Sequence, residues 1–118
     1  HSLSHSLGGV NPRLHHGTLN AMFLPAVVHF NAQAPSVQKD RRLERMAHAM
    51  GLASAGEIPE AIRDMNARLG LPTGLAAMGV TEAMFDDIIK GAMADHCHKT
   101  NPRVATADEY REILTQAL

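Results

Sequence analysis

The chain begins with HSLSHSLGGVNPRLHHGTLN, residues 1–20, and this stretch decides how the rest of the sequence is interpreted. It carries histidines at positions 1, 5, 15 and 16, half of the eight in the chain. His1 and His5 are four residues apart, so they share one face of a helix. Imidazoles at neighbouring helix ends, such as His1 and His16, can hold a divalent metal. Two ligands are fewer than the usual three, however, so spacing alone leaves open whether these histidines bind metal or are simply exposed.

Composition limits the classes of protein to be considered. A length of 118 residues suits one domain. The net charge of −1 and the 3% aromatic content favour neither nucleic acid nor an anionic membrane as a partner. The longest apolar run, Ala21 to Val28, is too short to span a bilayer. The single cysteine cannot form an internal disulfide, and this indicates a reducing compartment, the cytoplasm.

Apolar periodicity predicts an all-α fold, a helical bundle of five or six helices, because no segment alternates with period two. The predicted helices cover or begin at His1–Leu7, Gly17–Asn31, Ser36–Met50, Ile58–Leu69, Thr81 and Thr106. Gly8-Gly9 is expected to end the first helix, and Pro25 to kink or interrupt the second. Thr106-x-x-Glu109 predicts a capping box at the start of the last helix.

Several other residues are assigned structural roles. His29 and His48 are expected on the surface or in helix packing. His96 and His98 flank Cys97, a spacing that suggests a soft-metal site, but adjacent loop residues seldom converge on one ion. The methionines at 46, 50, 65 and 84 are expected to fill the core.

Longer motifs resemble a known family. The pattern His1-x-x-x-His5-x-Leu-Gly-Gly, followed by His16-Gly-x-x-Asn-Ala-x-x-Leu-Pro and Phe30-Asn31, is similar to the second signature of the iron-containing (group III) alcohol dehydrogenases. The resemblance continues through Leu69-Gly-Leu-Pro72, Asp95-x-Cys97-x-x-Thr-Asn-Pro-Arg103 and the terminal Ile113-Leu-x-x-Ala-Leu118. It therefore covers essentially the whole chain. Ser6 and a longer loop between Gly8 and His16 depart from the usual pattern.

The resemblance implies that residues 1–118 form a single helical domain. This domain is the C-terminal portion of the dehydroquinate synthase-like/iron-containing alcohol dehydrogenase α domain. In the family a nucleotide-binding α/β domain precedes it, and an Asp and three His hold the metal in the cleft between the two. By motif, His1 and His16 are metal ligands, and the other two ligands lie upstream. His5 is the catalytic residue and contacts the nicotinamide cofactor, and Cys97 lines the substrate channel. His15 has no assigned role.

The implied function is that of a metal-dependent dehydrogenase interconverting an alcohol and an aldehyde or ketone, with Fe²⁺ or Zn²⁺ and NAD or NADP as cofactors. The chain is read as a fragment that is inactive alone, that requires the missing N-terminal domain of the same protein, and that forms a homo-oligomer. A non-catalytic helical interaction or regulatory module on the same scaffold is the alternative. An independent helical metal-binding protein is a third reading.

Overall fold

A computed structural model describes all 118 residues as helices and turns without a strand, which confirms the all-α prediction. There are seven α-helices: α1 Ser2–Val10, α2 His16–Asn31, α3 Pro35–Lys39, α4 Arg42–Ala49, α5 Ile58–Arg68, α6 Phe85–Ala94 and α7 Ala107–Ala117. Four 3₁₀ turns lie at Ala55–Glu57, Leu75–Met78, Glu82–Met84 and His96–Thr100. None of the helices combines the length and the apolar character needed to cross a membrane.

The helix count exceeds five or six because the predicted helix over Ser36–Met50 is two helices, α3 and α4. Arg41 lies between them with a left-handed φ of 48°. In one continuous helix Val37 would point about 120° away from Leu43, since each residue turns the helix by about 100°. The break lets Val37 become buried and lets Leu43 pack against a small core of its own.

The predicted stop at Gly8-Gly9 is wrong, because α1 continues to Val10. Its end is set by Asn11, which has an extended backbone (φ −136°, ψ 94°) and precedes Pro12. Proline sterically disfavours the helical region for the residue before it, and Asn11 is extended, so Pro12 is the stronger terminator. The N–H of Asn11 donates to the carbonyl of Leu7 and closes the last turn.

Pro25 does not interrupt α2, although it lacks the N–H that would bond the carbonyl of Ala21. The side chain of Asn66 on α5 replaces that bond: its Nδ2 donates to the Ala21 carbonyl oxygen at 3.0 Å. Asn66 is 7% exposed, so this amide satisfies an acceptor away from solvent. The proline therefore marks the point where α5 is joined to α2.

The main core is a cluster of 17 buried residues contributed chiefly by α1, α2, α6 and α7. The predicted apolar stripes of α6 and α7 are buried in it: Phe85, Ile88, Ile89, Ala92, Tyr110, Ile113, Leu114 and Ala117. A separate cluster of four, Val28, Ala47, Ile58 and Ile62, joins α2 to α4 and α5. The expected burial of Met46, Met50 and Met65 is wrong, since each is 36–43% exposed.

Helices α1 and α6 approach closely at Gly91. A Cβ atom at this position would lie 2.2 Å from Ser6 Oγ and 3.0 Å from Ser6 Cβ. The Ser6 hydroxyl donates to the Ile88 carbonyl at 2.7 Å, which fixes the register of the two helices. This contact helps to hold α1, and the histidines on it, against the main core.

Candidate metal centre

Three of the sequence-predicted site residues meet where α1 and α2 begin. The ring centroids are 5.5 Å apart for His1 and His5, 5.4 Å for His1 and His16, and 5.3 Å for His5 and His16. His15 precedes α2 as its N-cap residue and is exposed, outside this group. The structure therefore separates two adjacent histidines, one inside the cluster and one beside it.

The contacts of Asn20 show how the rings of His1 and His16 are oriented. Its Nδ2 lies 3.0 Å from His16 Nε2 and 3.5 Å from His1 Nε2. An amide nitrogen only donates, so both Nε2 atoms are acceptors whose lone pairs point towards the same place. Neutral imidazoles with converging lone pairs are the arrangement that a Zn²⁺ or Fe²⁺ ion requires. The donor set of His1 and His16 thus fits part of a divalent-metal centre.

His5 is oriented by a residue 90 positions away along the chain. Its Nδ1 lies 3.0 Å from Oδ2 of Asp95, and the two side chains are 33% and 16% exposed. Partial burial raises the pKa of Asp95, but the Cys97 N–H bond at 2.8 Å and the contact with His5 outweigh it, so the pKa lies below its usual value. Asp95 is therefore a carboxylate that accepts the Nδ1 proton. Nε2 of His5 is left free to take up or return a proton.

Cys97 lines a small cavity of about 60 Å³ together with His1. The other walls are largely apolar and include Phe23, Val27 and Phe30. Burial raises the pKa of the Cys97 thiol, and the neighbouring Asp95 carboxylate raises it further. The sulfur is therefore a neutral thiol rather than a nucleophilic thiolate at neutral pH.

His98 and His96 lie on opposite sides of the 3₁₀ turn. His98 is buried, and its Nδ1 lies 2.7 Å from the Tyr110 hydroxyl, which also contacts Ser2 Oγ at 2.9 Å. Burial raises the pKa of Tyr110, so the phenol stays protonated. This network ties the start of α1 to α7. His96 is exposed instead, with its ring stacked 5.7 Å from that of His5.

The Asn-Pro-Arg segment holds the end of α2. Asn31 and Asn101 exchange amide hydrogen bonds at 3.1 and 2.6 Å. The Arg103 guanidinium lies 4.0 Å above the Phe30 ring and donates to the Phe30 carbonyl at 3.2 Å. These contacts give the motif a structural role beside the site. His29 and His48 are exposed, as the sequence predicts, and take no part in it.

Sequence reasoning assigned no role to Asn20 and Asp95. Asn20 lies four residues after His16, a helical spacing that brings the two side chains together and could have revealed it. Asp95 has no such local signal, because its partner is 90 residues away. Only the fold brings it to His5.

These features define a class: a helical domain that presents histidines with converging ring nitrogens from the starts of two helices. Known proteins resemble the chain over its whole length. The model of the Fe-containing alcohol dehydrogenase family, C-terminal, matches residues 1–118. The chain belongs to this family, which confirms the resemblance drawn from the motifs.

Individual relatives agree with the assignment. The chain is 56% identical to 4-hydroxybutyrate dehydrogenase of Cupriavidus necator and 35% identical to NAD-dependent methanol dehydrogenase of Bacillus methanolicus. It is covered completely in both comparisons but spans 32% of each relative's length. A crystal structure of 1,3-propanediol oxidoreductase superposes with a TM-score of 0.85 at 29% identity, covering 100% of this chain and 32% of that one.

Proposed function

We propose that the chain is the metal-binding, substrate-facing part of an NAD- or NADP-linked alcohol dehydrogenase that interconverts a small alcohol and its aldehyde or ketone. The observation that carries this proposal is the convergence of His1 and His16 Nε2 on one point, beside the Asp95-oriented ring of His5. His1 and His16 would hold a divalent cation, Fe²⁺ or Zn²⁺, which would polarise the alcohol oxygen as a Lewis acid, and NAD or NADP would supply the redox chemistry.

His1 and His16 supply two of the cation's ligands. Asn20 bonds to both Nε2 atoms, so its amide keeps the two rings aligned. Preorganisation of this kind lowers the cost of gathering the ligands. The further ligands come from a part of the enzyme outside these 118 residues.

His5 is proposed as the proton-transferring residue at the reacting oxygen. Asp95 accepts its Nδ1 proton, which fixes the tautomer and presents Nε2 as a base. Oxidation of an alcohol releases the hydroxyl proton, so a base close to the oxygen is required. The same ring, facing the reacting centre, is the proposed contact of the chain with the nicotinamide.

The cavity beside His1 is the proposed site for the carbon chain of the substrate. Its small volume and its apolar walls favour a short aliphatic group, and Cys97 contributes an uncharged sulfur to it. The relatives named for 4-hydroxybutyrate, methanol and 1,3-propanediol act on small molecules of this kind. We propose the same class of substrate here.

The proposed partner of the chain is the nucleotide-binding part of the same enzyme, which carries the remaining ligands. Side chains of Val10, Leu24, Met93 and Val104 are 41–55% exposed and offer apolar surface for that contact or for a homo-oligomer. The cytoplasm is the proposed location.

The test is alcohol oxidation by the dehydrogenase that contains this chain, followed as reduced nicotinamide. Metal-depleted enzyme should be inactive, and Fe²⁺ or Zn²⁺ should restore turnover. His16→Ala should prevent restoration, whereas the adjacent His15→Ala should behave as wild type. Asp95→Asn should lower kcat by about 10²-fold or more while metal content stays constant, because the proton-transferring ring loses its orientation.

Turnover that is independent of added metal, or equal in the His15 and His16 variants, would contradict the proposal. Absence of turnover in an enzyme that binds both metal and nucleotide would instead favour the non-catalytic module.

A further inference from the structure

A second group of donor atoms lies beside the candidate metal centre. His5, Asp95, His96 and Cys97 each offer one ligand atom, and these atoms all lie within 4.8 Å of one another. Neither His1 nor His16 belongs to the group. The four residues supply two imidazoles, a carboxylate and a thiol, a mixed set that differs chemically from a centre built on histidine alone.

The separations of the donor atoms are close to those of a tetrahedral zinc site. Zinc bonds of about 2.0–2.1 Å to nitrogen and 2.3 Å to sulfur place neighbouring ligands about 3.3–3.6 Å apart. Cys97 Sγ lies 3.4 Å from His96 Nε2, and His5 Nδ1 lies 3.0 Å from Asp95 Oδ2. With one ligand atom from each residue, the four atoms lie within 4.8 Å of one another, close enough to surround one ion.

We propose that His5, Asp95, His96 and Cys97 form a second divalent-metal site that takes Zn²⁺. A thiolate and imidazoles favour zinc over the hard cations Mg²⁺ and Ca²⁺. The Cys97 proton passes to solvent on binding, so the thiolate and the Asp95 carboxylate together balance the charge of the ion. His96 is 82% exposed and gives the ion a path from solvent, while Asp95, at 16%, anchors the inner side.

Occupation of this site excludes the hydrogen bond between His5 and Asp95. A metal at His5 Nδ1 takes the place of the proton that this nitrogen now donates to Asp95. Zinc at the second site and the Asp95-oriented form of His5 are therefore alternative states of the same residues. The existence of the site does not depend on the proposed dehydrogenase function, because it requires neither His1 nor His16.

The experiment is a titration of the chain with Co²⁺, a spectroscopic probe for zinc sites, followed by competition with Zn²⁺. Thiolate-bound Co²⁺ gives a charge-transfer band in the near ultraviolet that histidine-bound Co²⁺ lacks. We expect this band in the wild-type chain, its loss on addition of Zn²⁺ and its absence from Cys97→Ser. His96→Ala and His5→Ala should each weaken Co²⁺ binding at the thiolate by at least about tenfold, in line with the cost of perturbing a ligand shell.

Two controls separate this site from the candidate metal centre. His16→Ala should retain the thiolate band. His48→Ala, at an exposed position, should leave both the band and the Co²⁺ affinity unchanged. Far-ultraviolet circular dichroism verifies that each variant is folded. A missing band in the folded wild-type chain, or a band of unchanged affinity in both His5→Ala and His96→Ala, would overturn the second site. Failure of the His1–His16 centre to bind metal would leave the thiolate band intact and so count against the proposed function alone.

Discussion

The end of the molecule formed by α1, α7 and the 3₁₀ turn at His96–Thr100 differs from the end formed by α4 and α5. At the first end, polar partners are 108, 90 and 70 residues apart in sequence: Ser2–Tyr110, His5–Asp95 and Asn31–Asn101. At the second, ion pairs join residues two to four positions apart: Arg42–Asp40, Arg63–Glu60 and Arg68–Asp64.

The difference shows where tertiary structure is specified. Ion pairs between neighbours on a helix surface contribute little to stability and restrict no other element. Long-range hydrogen bonds to buried groups fix the position of one element against another. Helices α1 and α7 of the first end pack in the core of 17 buried residues, whereas α4 and α5 pack around the cluster of four. The long-range contact with Asp95 that orients His5 therefore lies at the first end.

The largest effect on stability is expected from Leu7→Ala. Leu7 is fully buried in the main core, so its truncation should lower the free energy of unfolding by about 2–5 kcal/mol. Leu69→Ala, at a position 67% exposed at the end of α5, should change it by no more than about 0.5 kcal/mol. Urea denaturation measures both, and similar losses in the two variants would remove the distinction between the ends.

A smaller loss is expected from Tyr110→Phe, which deletes the hydroxyl shared by Ser2 and His98. Both buried partners lose a hydrogen bond, so the free energy of unfolding should fall by about 1–3 kcal/mol. Arg63→Ala breaks only the exposed pair with Glu60 and should cost less than about 1 kcal/mol. An equal loss of unfolding free energy in Arg63→Ala and Tyr110→Phe would contradict the difference between the two ends.

Asn66→Ala tests the link between α5 and α2. The Ala21 carbonyl loses its one substitute donor, and the free energy of unfolding should fall by about 1–3 kcal/mol, towards the low end because a single bond is lost. Pro25→Ala in the same background restores a backbone N–H to that carbonyl and should recover part of the loss. A double-mutant cycle measures the coupling. Additive effects of the two substitutions would show that the Asn66 amide does not act as the substitute for the proline's missing bond.

The smallest effect concerns acid stability. The N–H of Thr106 bonds to Glu109, and with Arg103 nearby this outweighs burial and holds the pKa of Glu109 below its ordinary 4.5. A group with a depressed folded-state pKa contributes stability above its unfolded pKa, and this contribution is lost as the pH falls through the folded value. Glu109→Gln should therefore flatten the fall in unfolding free energy below pH 4.5. An unchanged acid profile would exclude Glu109 from this role.

Sequence patterns predicted the parts of the fold that depend on local periodicity. The apolar stripes of α6 and α7 and the Thr106–Glu109 capping box are as predicted. Breaks that depend on tertiary contacts were missed, as at Arg41, whose left-handed φ separates buried Val37 from Leu43, which packs on the small core. The exposure of Met46, Met50 and Met65 was also missed, because periodicity identifies an apolar face but not what covers it.

The candidate site likewise has features that the sequence predicted and features that it did not. The motif predicted that His1, His5 and His16 act together, and their rings do meet in the structure. The roles assigned to them, and to Cys97, stay predictions. The spacing rule, that adjacent loop residues seldom converge on one ion, did not predict that His96 and Cys97 lie close to His5 and Asp95, whereas His98 contacts Tyr110 instead. This grouping requires contact between His5 and Asp95, which are 90 residues apart, so spacing within one segment cannot predict it.

The most direct test of the account is the Zn²⁺ affinity of His16→Ala and His15→Ala, measured by isothermal titration calorimetry. Both variants are made with Cys97→Ser, which disables the proposed second site. The two histidines are adjacent and exposed, but only the ring of His16 shares the Asn20 amide with His1. We expect His16→Ala to weaken Zn²⁺ binding by at least about tenfold and His15→Ala to leave it unchanged. Equal affinities in the two variants would contradict a metal centre at His1 and His16.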